Sequence, residues 1–149
     1  MQLYYRVINT QIGALGLAAS ANALTGVEFS PSHPSVGSSE LLETAEKQIQ
    51  EYLAGERKQF SLPLEYDGTP FQVQIWQQLL QIPWGETKTY GEIARRIGNP
   101  RAGRAVGGAC NANPLALIIP CHRVVGVGGL TGFGGGLDVK RYLLELEQK

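Results

Sequence analysis

TYGEIARRIGNPRAGRAVGGACNA, residues 89–112, decides the fold of the second half of this chain. Thr89 and Glu92 form the pattern of a capping box and predict a short helix over residues 90–97. The letters GNP then turn the chain into another helix, at about residues 102–112. Two helices joined by a tight turn that contains glycine, the second with a basic start, are typical of a helix-turn-helix.

The second of these helices carries few side chains. Gly107 and Gly108 stand next to each other inside it, and each interior glycine costs a helix about 1 kcal/mol relative to alanine. We therefore expect another surface to approach this backbone closely. A neighbouring helix fits, and so does a nucleic-acid groove, of which the narrow minor groove suits small residues better than the major groove does.

The net charge of zero hides an asymmetry along the 149 residues. Residues 1–87 carry four Lys and Arg against nine acids, whereas residues 88–149 carry nine against four. Within the second part, residues 88–123 hold six of the basic residues and one acid. This concentration predicts a surface that faces phosphates, although a solvated basic face would give the same pattern.

The composition, 43% hydrophobic and 17% charged, is ordinary for a globular protein. There is no run of about 18 apolar residues, so we expect no membrane span. Nothing suggests secretion, and an intracellular, reducing compartment is expected. The cysteines, Cys110 and Cys121, and the histidines, His33 and His122, lack the spacing of a structural zinc site. We predict no metal and no cofactor.

The first half of the chain predicts a small sheet with a helix. Residues 3–8, 13–20 and 23–29 are short, apolar stretches separated by turn residues, as in an antiparallel sheet. Apolar residues then recur at helical spacing over residues 40–54, and residues 60–66 are strand-like.

Asp67-Gly68 marks a domain boundary. We predict an α/β (α+β) fold with a sheet-and-helix scaffold domain over residues 1–67 and a mostly helical domain over residues 68–149. Thr69 and Gln72 form a second capping box at the start of the helical part.

PCHRVV, residues 120–125, follows the apolar run LALII, residues 115–119, which predicts a buried strand. A free cysteine is most often a small buried hydrophobe. Here His122 and Arg123 would both favour a thiolate, so Cys121 is at least as well explained as a reactive residue. Adjacent side chains on a strand point to opposite faces, so the chain must leave strand geometry for His122 to serve Cys121.

PCHRVV, preceded by the glycine-rich helix RAVGGA and by Asn-Pro, resembles the O6-alkylguanine–DNA alkyltransferase family from about Phe71 to Glu147. The first part of the chain is similar to the family's RNase H-like first domain. The resemblance implies repair of double-stranded DNA that contains O6-alkylguanine, with the base flipped out through minor-groove binding. One alkyl group, from O6 of guanine or O4 of thymine, would be transferred per molecule to Cys121.

The resemblance also implies the roles of the residues around the reacting atoms. Cys121 is the nucleophile, His122 is its base acting through a water, and Glu147 is the carboxylate that orients His122. Tyr90 donates a proton or hydrogen bond to the leaving guanine, and Asn113 is the hinge between the glycine-rich helix and the cysteine segment.

On the DNA side, Arg104 would fill the gap that a flipped nucleotide leaves. The other residues expected at the DNA are Tyr90, Asn99, Ala105, Gly107 and Arg123. Many family members carry Tyr and Ser where this chain has Phe133 and Gly134. With Gly135, these residues predict an open pocket wall that admits alkyl groups larger than methyl. The zinc ligands found at the N-terminus of some members are absent.

The resemblance further implies a monomer that can cluster on DNA and has no membrane partner. It would be cytoplasmic and nucleoid-associated in a prokaryote, or nuclear in a eukaryote. Three alternatives remain: a lesion-binding protein that does not transfer the group, a helix-turn-helix regulator, and a cysteine hydrolase. The first carries another residue at the position of Cys121, the second leaves PCHR unexplained, and the third lacks an evident oxyanion hole.

Overall fold

The computed structural model describes residues 3–31, 33–129, 133 and 135–149. The chain divides into two compact units, one of residues 1–66, 114–116 and 149, the other of residues 67–113 and 117–148. Pro114–Ala116 therefore lies with the first unit, whereas the predicted boundary at Asp67-Gly68 assigns it to the second domain. No helix in the described ranges is long and apolar enough to cross a membrane.

The first unit is built on an antiparallel sheet in the order β1-β2-β3, followed by a helix. Strand β1 spans Tyr4–Thr10, β2 Gly13–Ala19 and β3 Leu24–Glu28, and helix α1 spans Glu40–Leu53. The apolar faces of sheet and helix form the core of this unit. Its fully buried side chains include Leu15, Leu17, Leu24, Leu42, Ile49 and Tyr52.

The prediction of a strand over residues 60–66 is wrong. Only an isolated parallel bridge forms, between Leu24 and Leu64. The backbone N–H of Leu24 donates to Pro63 O (2.8 Å), and the N–H of Glu65 donates to Leu24 O (3.0 Å). Pro63 has no N–H of its own to extend a ladder, so pairing is confined to this short stretch.

The second unit is mostly helical. Its elements are α2 (Pro70–Leu79), β4 (Lys88–Thr89), α3 (Tyr90–Arg96), α4 (Gly103–Asn111), β5 (Val124–Val125) and α5 (Leu137–Leu146). Both predicted capping boxes are present, with reciprocal bonds between Thr69 and Gln72 and between Thr89 and Glu92. Strands β4 and β5 pair in parallel.

The run LALII, residues 115–119, is buried as expected but is not a strand. Leu115 makes one isolated bridge with Val27. Leu117 then adopts φ 70°, a left-handed conformation that no strand contains. An apolar run shows that the segment is buried, and it does not distinguish a strand from a buried turn.

Candidate active site

Cys121 begins a single 3-10 turn, residues 121–123, that directly follows Pro120. The N–H of Cys121 donates to Ile119 O (2.8 Å), and the N–H of Arg123 donates to Pro120 O (3.0 Å). The segment at Cys121 is thus a turn and not a strand, which is the condition that the sequence set for His122 to serve Cys121. Residue Cys121 is 8% exposed, so its thiol sits at the edge of the buried interior.

His122 and Glu147 form a buried pair inside the second unit. His122 Nε2 lies 2.7 Å from Glu147 Oε2, and both side chains are almost completely removed from solvent. Glu147 is the residue that caps the C-terminal end of α5. A carboxylate at this end opposes the helix dipole, so a partner of opposite polarity is needed to stabilise it there.

Arg123 supplies that partner. Its Nε donates to Glu147 Oε1 (2.8 Å) and its Nη2 to Glu147 Oε2 (2.9 Å), a bidentate pair. Its Nη1 donates to Ile82 O (2.6 Å). Arg123, predicted among the DNA contacts, is only 7% exposed. We correct this assignment, because the guanidinium is engaged in holding the carboxylate.

Burial shifts the pKa values of Cys121 and His122 in the directions that favour their neutral forms. It raises the pKa of the Cys121 thiol, an effect opposed by the hydrogen bond from Asn113 and by the Lys140 ammonium. It lowers the pKa of His122, an effect opposed by Glu147. The resting site therefore holds a thiol and a neutral imidazole, a pair in which the imidazole can accept the proton.

Asn113 connects the end of α4 with the reactive sulfur. Its Nδ2 donates to Ile119 O (2.8 Å) and to Cys121 Sγ (3.2 Å). A donor to sulfur stabilises the thiolate more than the thiol, so this bond favours ionisation. The hinge role that the resemblance implies for Asn113 stays a prediction.

Lys140 is a buried cation that was not predicted from the sequence. Its side chain is fully buried on α5, and its Nζ donates to Val124 O (2.7 Å). Burial lowers its pKa, opposed by the nearby Cys121 and Cys110. A signal existed, because Lys140 lies three residues before Leu143 and seven before Glu147, on the buried face of the last helix.

Cys110 is not equivalent to Cys121. Burial raises the pKa of Cys110 to about 12, with a further contribution from Cys121. The thiol therefore stays protonated at neutral pH, which agrees with its interpretation as a packing residue.

Helix α4 shows one packed face and one bare face. Val106 and Ala109 are buried, and Trp76 Nε1 donates to Ala109 O (2.8 Å), which ties α4 to α2. On the other face, Arg104 and Ala105 are exposed.

The two glycines of α4 have different surroundings. A Cβ at Gly108 would meet no atom of the described residues within 4 Å, whereas one at Gly107 would lie 3.8 Å from the ring of Tyr90. A neighbouring helix therefore does not explain Gly108, and the bare face is open to a partner.

Tyr90 is the first residue of α3, and its backbone position is determined locally. The N-cap Thr89 accepts from the N–H of Glu92 (3.1 Å), and Glu92 accepts from the N–H of Thr89 (3.0 Å). Thr89 also pairs with Val125 in the β4–β5 ladder. The segment before Tyr90 is thus joined to the segment after Cys121.

Asn99 lies exposed in the turn between α3 and α4. Its N–H donates to Ala94 O and its C=O accepts from the N–H of Ala102, both at 3.0 Å, so its backbone builds the turn. Of the predicted pocket loop, Phe133 and Gly135 are half-buried, and Gly134 lies outside the described residues. Among the residues described, no group of three or more His, Cys, Asp or Glu is placed to hold a metal ion.

Two family profiles match consecutive parts of the chain. The one described as 6-O-methylguanine DNA methyltransferase, ribonuclease-like domain, matches residues 3–66, and the DNA binding domain of the same description matches residues 70–149. The chain belongs to the 6-O-methylguanine DNA methyltransferase family. This confirms the resemblance on which the predicted roles depend.

Relatives in this family match over almost their whole length. A methylated-DNA–protein-cysteine methyltransferase of Methanosarcina acetivorans is 46% identical over 153 residues, 97% of this chain and 98% of that protein. The one of Mycobacterium bovis is 46% identical over 156 residues, 98% of this chain and 93% of that protein.

Solved structures confirm the α/β fold. A Mycobacterium tuberculosis O6-methylguanine methyltransferase has a TM-score of 0.90 at 44% identity, covering 99% of this chain and 93% of that one. The M. tuberculosis OGT in complex with DNA has a TM-score of 0.89 at 46% identity, covering 97% and 92%.

Proposed function

We propose that this chain performs the reaction for which its family is named, on double-stranded DNA that contains O6-alkylguanine. The alkyl group of O6-alkylguanine, or of O4-alkylthymine, is transferred to Cys121. The observation that carries the proposal is the buried His122–Glu147 contact of 2.7 Å, formed by the residue directly after the cysteine. A regulator that only binds DNA has no use for such a pair.

The proton of the thiol goes to His122. Its Nε2 faces Glu147, so its Nδ1 is the nitrogen that accepts the proton, through a water as in the family. The carboxylate becomes a stronger partner as the ring gains charge, which stabilises the imidazolium. Arg123 keeps Glu147 in place from its other side.

The sulfur then attacks the alkyl carbon. The Sγ–carbon bond forms as the carbon–oxygen bond breaks, and the electron pair of that bond stays on the guanine oxygen. Tyr90 donates a proton or hydrogen bond to the guanine, so that the base does not leave as a bare anion. A thioether has no ready leaving group, so each molecule reacts once.

The DNA approaches along the bare face of α4. Ala105 is exposed there and Gly108 has open space beside it, so a narrow groove can come close to the backbone. Arg104, also exposed, enters the base stack in place of the flipped nucleotide. The chain acts as a monomer on DNA, inside the cell, without metal or cofactor.

Mass spectrometry of the intact protein after incubation with O6-methylguanine DNA tests the proposal. We expect a gain of one methyl group per molecule, lost in Cys121→Ser and retained in the matched variant Cys110→Ser. Peptide mapping should place the methyl on Cys121. Repeated turnover by an unmodified protein, or transfer that survives in Cys121→Ser, would contradict the proposal.

A further inference from the structure

A groove of about 440 Å³ lies along α3, away from the buried relay of Cys121, His122 and Glu147. It is lined by Lys88, Glu92, Arg95 and Arg96. Glu92 and Arg96 are four residues apart on one side of α3, with Arg95 beside them, and Lys88 lies in β4 just before the helix. We call this surface the α3 groove.

The cations of the α3 groove are available to a partner. Arg95 and Arg96 are exposed, and Lys88 is half-buried. Within the described part of the chain, none of the ion pairs includes any of the three. The groove therefore presents three positive charges that no described carboxylate binds directly.

Glu92, the single acid of the groove, is already engaged. One of its oxygens accepts the N–H of Thr89 (3.0 Å) in the capping box, and that bond is the main reason for the lowered pKa of Glu92. One carboxylate oxygen is thereby directed at the helix end, and Lys88 and Arg95 also act on the carboxylate. Three cations against this one acid leave the groove with a net positive charge. An anion is the partner that such a surface fits.

The position of the groove identifies the anion. Arg95 Nη1 lies 3.5 Å from where a Cβ of Gly91 would be, so the guanidinium folds back along α3 toward Tyr90. A Cβ at Gly107 of α4 would lie 3.8 Å from the ring of Tyr90, so α4 runs beside the start of α3. In a helix-turn-helix the first helix crosses the DNA backbone while the second enters the groove. The α3 groove therefore borders the proposed DNA face.

We propose that Lys88, Arg95 and Arg96 bind backbone phosphates of the DNA, and so add contacts beside those of α4. The inference rests on the proposed function, because it requires DNA on the bare face of α4. Phosphate contacts carry no sequence information. The α3 groove therefore contributes equally to binding of damaged and undamaged duplex, and it holds the protein on DNA before a lesion is found.

The test compares Arg95→Gln/Arg96→Gln with Lys47→Gln/Arg141→Gln, which removes the same charge from exposed positions on other helices. Anisotropy measures the affinity for one labelled duplex, undamaged or with one O6-methylguanine, over a series of salt concentrations. The slope of log K against log salt is negative, and each lost phosphate contact reduces its magnitude by about 0.9. We expect the α3 variant to lower it by about 1 to 2 and to weaken both duplexes about tenfold at low salt.

Slopes equal to those of the control variant would overturn the inference, and so would a loss confined to the damaged duplex. A changed self-association with unchanged DNA affinity would indicate a protein partner and would also overturn it. Thermal unfolding of both variants checks that the fold is kept. Alkyl transfer is measured on the wild-type protein alone, since its absence would refute the proposed function without altering the salt slopes.

Discussion

Glu147 Oε2 lies 2.7 Å from His122 Nε2, while the same carboxylate binds the guanidinium of Arg123 through both of its oxygens. One buried acid therefore serves two cationic or potentially cationic groups. The guanidinium is permanently charged and neutralises the carboxylate at rest, whereas in the proposed mechanism the imidazole becomes charged only during the reaction.

Glu147→Gln should affect both stability and rate. The substitution leaves the Arg123 guanidinium buried without its carboxylate, so we expect the free energy of unfolding to fall by about 3 kcal/mol. It also removes the group that stabilises the imidazolium, and the single-turnover rate should fall about 100-fold. Denaturant unfolding and rapid-quench kinetics measure the two effects.

The double variant Arg123→Met/Glu147→Gln separates these effects. Because it removes both buried charges, it should recover much of the stability while the rate stays low. Recovery of the rate together with the stability would mean that Glu147 acts only as a structural partner of Arg123.

The pH dependence of the rate should follow His122. Burial lowers the pKa of this residue below the ordinary histidine value of 6.5, so the base form persists into mildly acidic solution. We expect the single-turnover rate to be constant through neutral pH and to fall only below 6.5. A rate that declines from pH 8 to 7 would contradict this, because such a decline would follow the protonation of an ordinary thiol, whose pKa is about 8.5, and not that of His122.

The same shift affects stability, with a defined sign. The unfolded chain binds a proton to His122 near pH 6.5, whereas the folded chain resists doing so. The contribution of His122 to stability is therefore complete above pH 6.5, and it is lost as the pH falls through the lower pKa that His122 has in the folded chain. In His122→Gln, denaturant midpoints should change less between neutral and acidic pH than in the wild type.

Asn113→Ala should loosen the cysteine turn. It removes the donor to Cys121 Sγ and one of the two donors to Ile119 O, which keeps its bond from the N–H of Cys121, so we expect a loss of about 1 kcal/mol in unfolding free energy. The pKa of Cys121 should also rise. Asn111→Ala, at an exposed position of the same helix, is the matched control and should change neither quantity.

Lys140→Met should raise the pKa of Cys121, because a buried positive charge near the thiolate is lost. Measured by thiolate absorbance in a Cys110→Ser background, the titration should move to higher pH, and transfer should slow about tenfold. If the reaction slows while the thiol titration is unchanged, Lys140 has only a structural role, through its hydrogen bond to Val124 O.

Larger alkyl groups should be accepted. Where the resemblance predicts Tyr and Ser in many family members, this chain has Phe133 and Gly134, followed by Gly135, and we expect these residues to form an open pocket wall. We expect butyl- and benzyl-guanine in DNA to be repaired at rates within about tenfold of methyl, a difference of about 1.4 kcal/mol in the barrier. Competition between labelled duplexes measures this, and a strict preference for methyl would refute it.

The parts predicted correctly from the sequence depend on neighbouring residues. Each capping box is a contact between residues three apart, so its letters suffice to locate a helix start. The turn at Cys121 was required because His122 could not otherwise lie on the same side. These inferences need no knowledge of which distant segments meet.

The wrong predictions concern the orientation of side chains and backbone, and contacts with residues far away in the sequence. The letters show that Arg123 is charged, but its orientation depends on Glu147, 24 positions away. The strand assigned to LALII failed because burial does not specify φ, and Leu117 adopts the left-handed region. Lys140 was overlooked because a lysine is seldom fully buried, and its partner Val124 lies on another segment.

The two-residue ladder between β4 and β5 has a further consequence for binding. Tyr90 follows β4 directly and the turn of Cys121 directly precedes β5, so the two paired rungs connect the proposed proton donor with the proposed nucleophile. The entropy of ordering these groups is lost during folding, before any DNA arrives. Preorganisation of this kind leaves the energy of DNA association free for unstacking the damaged base.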